Sequence, residues 1–244
     1  TVSKTATNEY FISLLVETTH QVLPKTGKTV GIDLGLKDFV ITSDGKKYKN
    51  NRYTKTYPRK LKVAQQHLSK KQKDSNRYQK QRIKAARVHK KITNSRLDNL
   101  HKVSTDLIKN YDVICIEDLN VKGMIKNHKL SKHIADASWG KFVEILTYKA
   151  EWNERELVKI DRFFPSSKSC NNCGYINQNL KLSDREWTCN GCGKINDRDF
   201  NAAKNILSEG LKLISAGTVD YRRGDEIRPL HSSGAVRETS KVLD

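Results

Sequence analysis

Residues 29–35, Thr-Val-Gly-Ile-Asp-Leu-Gly, limit what this chain can fold into more than any other stretch. Read with the two-residue period of a strand, Val30, Ile32 and Leu34 share one face, and Gly31, Asp33 and Gly35 share the other. One face is apolar. The other carries a single carboxylate with no side chain on either flank. Glycine inside a strand marks a place where something approaches the backbone closely. A lone Asp on a buried strand is costly unless it is paired or holds a metal. The stretch therefore predicts partners for Asp33.

The rest of the composition bounds what those partners serve. The 244 residues suffice for one large domain or two small ones, and 36% apolar content can fill a core. The formal net charge is +19, concentrated rather than spread, which points to a polyanionic partner and first of all to nucleic acid. A basic face is nowhere combined with a broad aromatic and leucine face, so a membrane-surface role is disfavoured. The chain has no run of 18 apolar residues and no signal peptide, so an intracellular protein is expected. It does not begin with Met, and Tyr10–Val16 reads as the end of a strand pair, so a longer protein is expected to continue upstream.

After the central strand, Phe39–Thr42 and Lys47–Lys49 read as two further antiparallel strands, joined by an Asp44-Gly45 turn of type I′. Residues 55–110 hold no Gly, and their apolar residues are sparse and helically spaced: Leu61, Ala64, Leu68, Tyr78, Ile83, Val88, Ile92, Leu97 and onward. A break at Asp74-Ser75-Asn76 predicts a helical hairpin. Its surface is Lys and Arg with few acids interleaved, which suits phosphate contact better than pairing along the helix. Tyr111–Leu119 then reads as a strand buried on both faces and parallel to the first, ending in Glu117-Asp118. Chemistry in open α/β sheets gathers at such carboxyl ends. Residues 120–137 read as a loop, 138–156 as a helix, 157–160 as a strand and 200–214 as an amphipathic helix. Cys115 reads as a small buried hydrophobe.

The chemistry-bearing groups fall into two sets. Cys170, Cys173, Cys189 and Cys192 form two Cys-x2-Cys knuckles, each followed by Gly, the spacing of a closed structural Zn²⁺ cage. The second set is acidic. Asp197 reads as a helix N-cap, Asp199 falls in the first turn, and Ala202-Ala203 predicts close helix–sheet packing that brings Asp199 to the strand ends. Asp33, Glu117 and Asp199 are then candidates to converge. Each carboxylate pair at 4 Å would repel by about 4 kcal/mol at an effective dielectric of 20, which divalent cations relieve. Carboxylate oxygens select Mg²⁺ or Mn²⁺, and two such ions suit phosphodiester hydrolysis.

Gly31–Asp38, Ile114–Leu119, the four cysteines and Asp197–Ile206 occur in the order and spacing of the TnpB family, which this chain resembles over roughly residues 1–215. These are insertion-sequence-encoded, RNA-guided endonucleases related to type V CRISPR effector nucleases. The resemblance implies an α/β RNase H-like (RuvC) mixed sheet with a basic helical insertion and an inserted four-cysteine zinc ribbon. It divides the chain into remnant strands of an N-terminal wedge-like domain and linker (1–26), a RuvC-like core (27–164) with the helical insertion (55–110), a zinc ribbon that binds target nucleic acid (165–196), a C-terminal core helix (197–216) and a disordered tail (217–244). Asp33, Glu117 and Asp199 would be the catalytic Mg²⁺ (or Mn²⁺) ligands, and the cysteines would hold Zn²⁺. Guide RNA and target DNA would be the partners of a monomer, with no membrane, in the cytoplasm at a prokaryotic nucleoid. The chain departs from the family in lacking most of its N-terminal recognition and wedge regions, which leaves guided recognition open. The alternatives are a nuclease-inactive or unguided nucleic-acid-binding protein, repressor-like, or an accessory transposition protein.

Overall fold

The computed structural model describes residues 1–53, 57–181 and 183–217. The expected tail therefore lies outside the described residues except for Gly217. The described residues divide into two compact units, one from 1–21, 53 and 57–97, the other from 22–52, 98–181 and 183–217.

The first unit contains the hairpin β1 (Val2–Lys4) and β2 (Tyr10–Ile12), the helix α1 (Pro58–Ser69) and the first part of the long helix α2 (Asn76–Asn110). The expected strand at Tyr10–Val16 stops at Ile12. The register pairs Val2 with Ile12, the Ser13 amide bonds the Thr1 carbonyl, and Leu14, Leu15 and Val16 beyond them are exposed. The helical hairpin forms as expected around the break at Asp74, whose φ of 66° turns the chain. Its apolar seam is thin: Ala64, Ala85 and Ile92 are buried, and the Gln81 side-chain amide donates to the Ala64 carbonyl at 3.2 Å. Most of the Lys and Arg side chains on these helices face solvent.

The second unit is a five-stranded mixed sheet in the order β5-β4-β3-β6-β7. Its strands are β3 (Thr29–Leu34), β4 (Asp38–Thr42), β5 (Lys47–Lys49), β6 (Val113–Glu117) and β7 (Glu156–Ile160). The first three are antiparallel neighbours; β3, β6 and β7 run parallel. The β4–β5 turn differs from the expected type I′: of its residues only Gly45 has positive φ (96°), and the Gly45 amide bonds the Thr42 carbonyl. A three-residue loop with a glycine bulge meets the same twist requirement.

Residues 120–137 were expected as a loop and instead hold two short helices, α3 (Val121–Ile125) and α4 (Ser131–Ala137). Asn120 accepts the Gly123 amide at 2.9 Å and so starts the first. Ile134 and Ala137 anchor the second in the interior. Ser138, left-handed at φ 54°, separates it from α5 (Trp139–Trp152). Phe142 of α5 meets Phe39 edge to face at 5.0 Å. Lys149 of α5 donates to the His101 carbonyl and to the hydroxyls of Ser104 and Thr105.

The other decisive helix is α6 (Arg198–Ser215), which lies against β3, β6 and β7. A Cβ added at Gly31 would sit 2.1 Å from the Ala203 carbonyl oxygen and 2.6 Å from the Leu207 nitrogen. One added at Gly210 would sit 2.3 Å from the Cys115 sulfur. Cys115 is fully buried with Val158, Ile160 and Ile206, and burial pushes its thiol up to about 12, as suits a small hydrophobe. Among the described residues no helix is long and apolar enough to cross a membrane.

Because the obstacle at Gly31 is backbone, Gly31→Ala forces α6 off the sheet. Urea unfolding should record a loss of about 3 kcal/mol, at the upper end of overpacking costs. A loss under about 0.5 kcal/mol would contradict this packing.

Candidate active site

Asp33 stands at the carboxyl end of β3, on the same strand face as Gly31, and so on the side covered by α6. Parallel pairing of Ile32 with Ile116 sets Glu117, one residue on, level with Asp33 on the neighbouring strand. Asp199 enters from above in the first turn of α6. Three separate elements thus deliver their carboxylates to one end of the sheet.

The electrostatics register this grouping. Burial, and then the charges of Glu117 and Asp199, push the Asp33 carboxyl up to about 7, with Arg198 opposing. Burial also raises Glu117, while a hydrogen bond donated by the Ser166 hydroxyl to its Oε1 holds it back. Asp199 is engaged at both oxygens: Arg198 donates Nε and Nη2 to Oδ1 at 2.9 and 2.8 Å, and Arg185 donates Nη1 to Oδ2 at 3.1 Å. The three carboxylates are grouped but not clenched. Among the described residues, the cysteine quartet is the one set of three or more His, Cys, Asp or Glu ligands whose donor atoms all lie within 4.8 Å of one another. Hard oxygen donors of this number and charge fit a divalent cation such as Mg²⁺ or Mn²⁺.

The cysteine module feeds directly into this site. Gly174 and Gly193 sit at φ 77° and 73°, and in each knuckle the glycine amide bonds the carbonyl of the first cysteine at 2.8 Å. The Lys194 amide draws the Cys192 thiol down to about 6, and the Asn196 side chain donates to the Cys170 sulfur at 3.7 Å. Sulfur pairs stand 3.8 Å (Cys170–Cys192) and 3.5 Å (Cys173–Cys189) apart. A tetrahedral ion with metal–sulfur bonds of about 2.3 Å needs sulfurs about 3.8 Å apart, so the quartet can hold one metal ion. Trp187, between the knuckles, packs on Cys170 and Cys189.

The strands β8 (Glu186–Thr188) and β9 (Ile195–Asp197) pair antiparallel, and β9 runs straight into α6. Asp197 accepts the Phe200 amide at 2.9 Å, confirming the N-cap expectation. Two buried asparagines of α6 then staple the segment that precedes the first knuckle. Asn201 bonds the Ser169 carbonyl and the Asn171 amide; Asn205 bonds the carbonyls of Ser166 and Ser169. Reading the sequence missed Ser166, Arg185, Asn201 and Asn205. The available signal was two asparagines four apart on the buried face of an amphipathic helix, where unpaired amides are costly.

Comparison with known proteins places this architecture. The fold is shared with Cas12f effector structures. One, the Cas12f1-sgRNA-target DNA complex, aligns over 76% of this chain and 50% of its own with a TM-score of 0.53 at 18% identity. Another, a CRISPR-Cas12f ternary complex, aligns over 79% and 40% with a TM-score of 0.54 at 19% identity. The family model OrfB_IS605, described as a probable transposase, matches residues 12–128, and the Cas12f1-like TNB domain matches residues 139–206. Both matches point the same way, and the chain is similar to TnpB-like proteins and to proteins provisionally named RNA-guided DNA endonucleases. It is 43% identical over 240 residues to a Streptomyces pristinaespiralis protein provisionally named an RNA-guided DNA endonuclease, covering 98% of this chain and 58% of the relative. Escherichia coli K12 InsQ, provisionally given the same name, is 31% identical, at 89% and 58% coverage. TnpB-like protein L79 of Acanthamoeba polyphaga mimivirus is 30% identical, at 84% and 42%. The chain thus spans between 42% and 58% of the length of these relatives.

With Asp33 titrating near 7 rather than its ordinary 3.8, the metal-free folded protein keeps a proton that the unfolded chain releases between those values. Its stability should therefore fall as pH rises from about 4 through about 7, then level off. Asp33→Asn removes the penalty. Urea titrations of the metal-free proteins should find the variant more stable by about 4 kcal/mol at pH 8 and equal to wild type near pH 4. A gap that does not change with pH would refute the assignment.

Proposed function

We propose that this chain is the nuclease portion of a transposon-encoded, RNA-guided DNA endonuclease with an RNase H-like (RuvC) core. The observation that carries the reading is the delivery of Asp33, Glu117 and Asp199 by two parallel strands and a helix start to one end of the sheet, where burial and then the charges of the other two raise Asp33. A repelling carboxylate group at a strand end is costly to folding, and a divalent cation is what such a group is suited to hold. Two Mg²⁺ or Mn²⁺ ions there would supply an activated water and a stabilised leaving oxygen for hydrolysis of a phosphodiester. The chain's own residues set the geometry. Gly31 admits the α6 backbone and so brings Asp199 to the strand end, the Ser166 hydroxyl orients Glu117, and Arg198 and Arg185 aim Asp199. The basic helices α1 and α2 offer Lys and Arg to phosphate backbones, in keeping with the guide RNA and target DNA of the Cas12f1 complex whose fold is shared. The sequence of the longer relatives leaves room for further recognition regions.

The cysteine quartet is read as a structural zinc ribbon. Its four sulfurs would fill all four positions of a tetrahedral ion, leaving none for a water.

Asp33→Ala, Glu117→Gln and Asp199→Ala should each lower metal-dependent DNA cleavage at least ~100-fold, a larger loss than removal of an outer-shell partner, while binding of nucleic acid persists. Cleavage retained in any one of them would remove that residue from the triad. Stripping zinc with a chelator should raise amide exchange across residues 165–197 and leave the exchange of β3 and β6 largely as it was. Unchanged exchange in the ribbon would refute the structural role.

A further inference from the structure

Phe163 and Phe164 are consecutive and treated oppositely. Phe164 packs against the buried cluster of Cys115, Val158, Ile160 and Ile206, whereas Phe163 is 85% exposed, more than any other exposed large apolar side chain among the described residues. The exposure is not that of a loose loop. The Phe163 amide donates to Asp161 Oδ1 at 2.7 Å, the Phe164 amide to the Asp161 carbonyl at 3.2 Å, and the Ser166 amide to the Phe164 carbonyl at 2.8 Å. Contacts on either side tie this turn to the carboxyl end of β6: Arg162 pairs with Asp118, and Ser166 bonds Glu117. A turn bearing a bare aromatic ring is therefore tied to the strand end that carries Glu117, and the ring stands one residue from a half-exposed guanidinium.

We propose that Phe163 is a stacking platform for an unpaired base of the nucleic-acid strand that enters the carboxylate site, with Arg162 beside it for the adjoining phosphate. The inference rests on the nuclease reading above. A ring at this place gains nothing in folding, because its neighbour already fills the core. A nucleobase offers a π-face of matching size, and stacking on aromatic side chains is tolerant of sequence, as a guided enzyme with a variable target requires.

The test uses the full chain and a single-stranded oligodeoxynucleotide carrying 2-aminopurine, read by fluorescence in Ca²⁺. Wild-type protein should quench the probe on binding. Phe163→Ala should relieve the quenching and weaken binding about 10-fold, Phe163→Trp should restore both, and Phe163→Leu should fail to restore quenching. Binding and quenching unchanged in Phe163→Ala would overturn the stacking role and leave the nuclease reading standing. Wild-type protein that neither binds the oligonucleotide nor cleaves DNA in Mg²⁺ would overturn both.

Discussion

The contact between α6 and β3 at Gly31 governs the rest of this structure. A helix backbone can lie this close to a strand only where the strand has no Cβ, and Gly31 is that gap. The same device recurs at the other end of the helix, where Gly210 meets Cys115 on β6. Two glycines, one on the strand and one on the helix, thus fix the height and direction of α6. Its first turn is thereby brought to the strand ends, and Asp199 with it. A methyl group at Gly31 would disturb the acidic group without touching any of its members.

What the packing brings together, electrostatics drives apart. Asp33 is displaced to about 7 by burial and by the charges of Glu117 and Asp199. The protein tolerates the arrangement because each of the other two acids has a local partner, Ser166 for Glu117 and two arginines for Asp199. Among the described residues Asp33 has no such partner, and it carries the raised pKa. The arginines also link the modules, since Arg185 lies between the two cysteine knuckles. The state of the ribbon and the aim of Asp199 are therefore mechanically connected, with β9 running into α6 and Asn201 and Asn205 closing the loop.

Much of the fold was legible in the chain because local physics decides it. The alternation around Asp33, the β-branched run to Glu117, the helical spacing and missing glycines of the basic segment, and the cysteine knuckles are all short-range patterns. Errors fell where the deciding factor was distant or subtle. The strand expected at Tyr10–Val16 stops at Ile12, and the apolar residues that follow, Leu14, Leu15 and Val16, are exposed. Two short helices in 120–137 were hidden by polar composition, since an Asn cap and a few anchoring apolar residues suffice for one or two turns. Asp44 was assigned a left-handed turn that a glycine bulge replaces.

The sequence by itself determined the inventory: which strand carries an acid between glycines, which four sulfurs have cage spacing, and which helix begins with an acid. These depend on periods of two and 3.6 residues and on fixed offsets, which are properties of neighbouring residues. Only the tertiary structure decided that Glu117 comes level with Asp33, that Arg185 and Ser166 hold the other two acids, and that Phe163 faces solvent while Phe164 faces the core. Those facts depend on register across strands and on helix height above a sheet. Both are set by contacts between residues dozens or more than a hundred positions apart, and no local pattern encodes them.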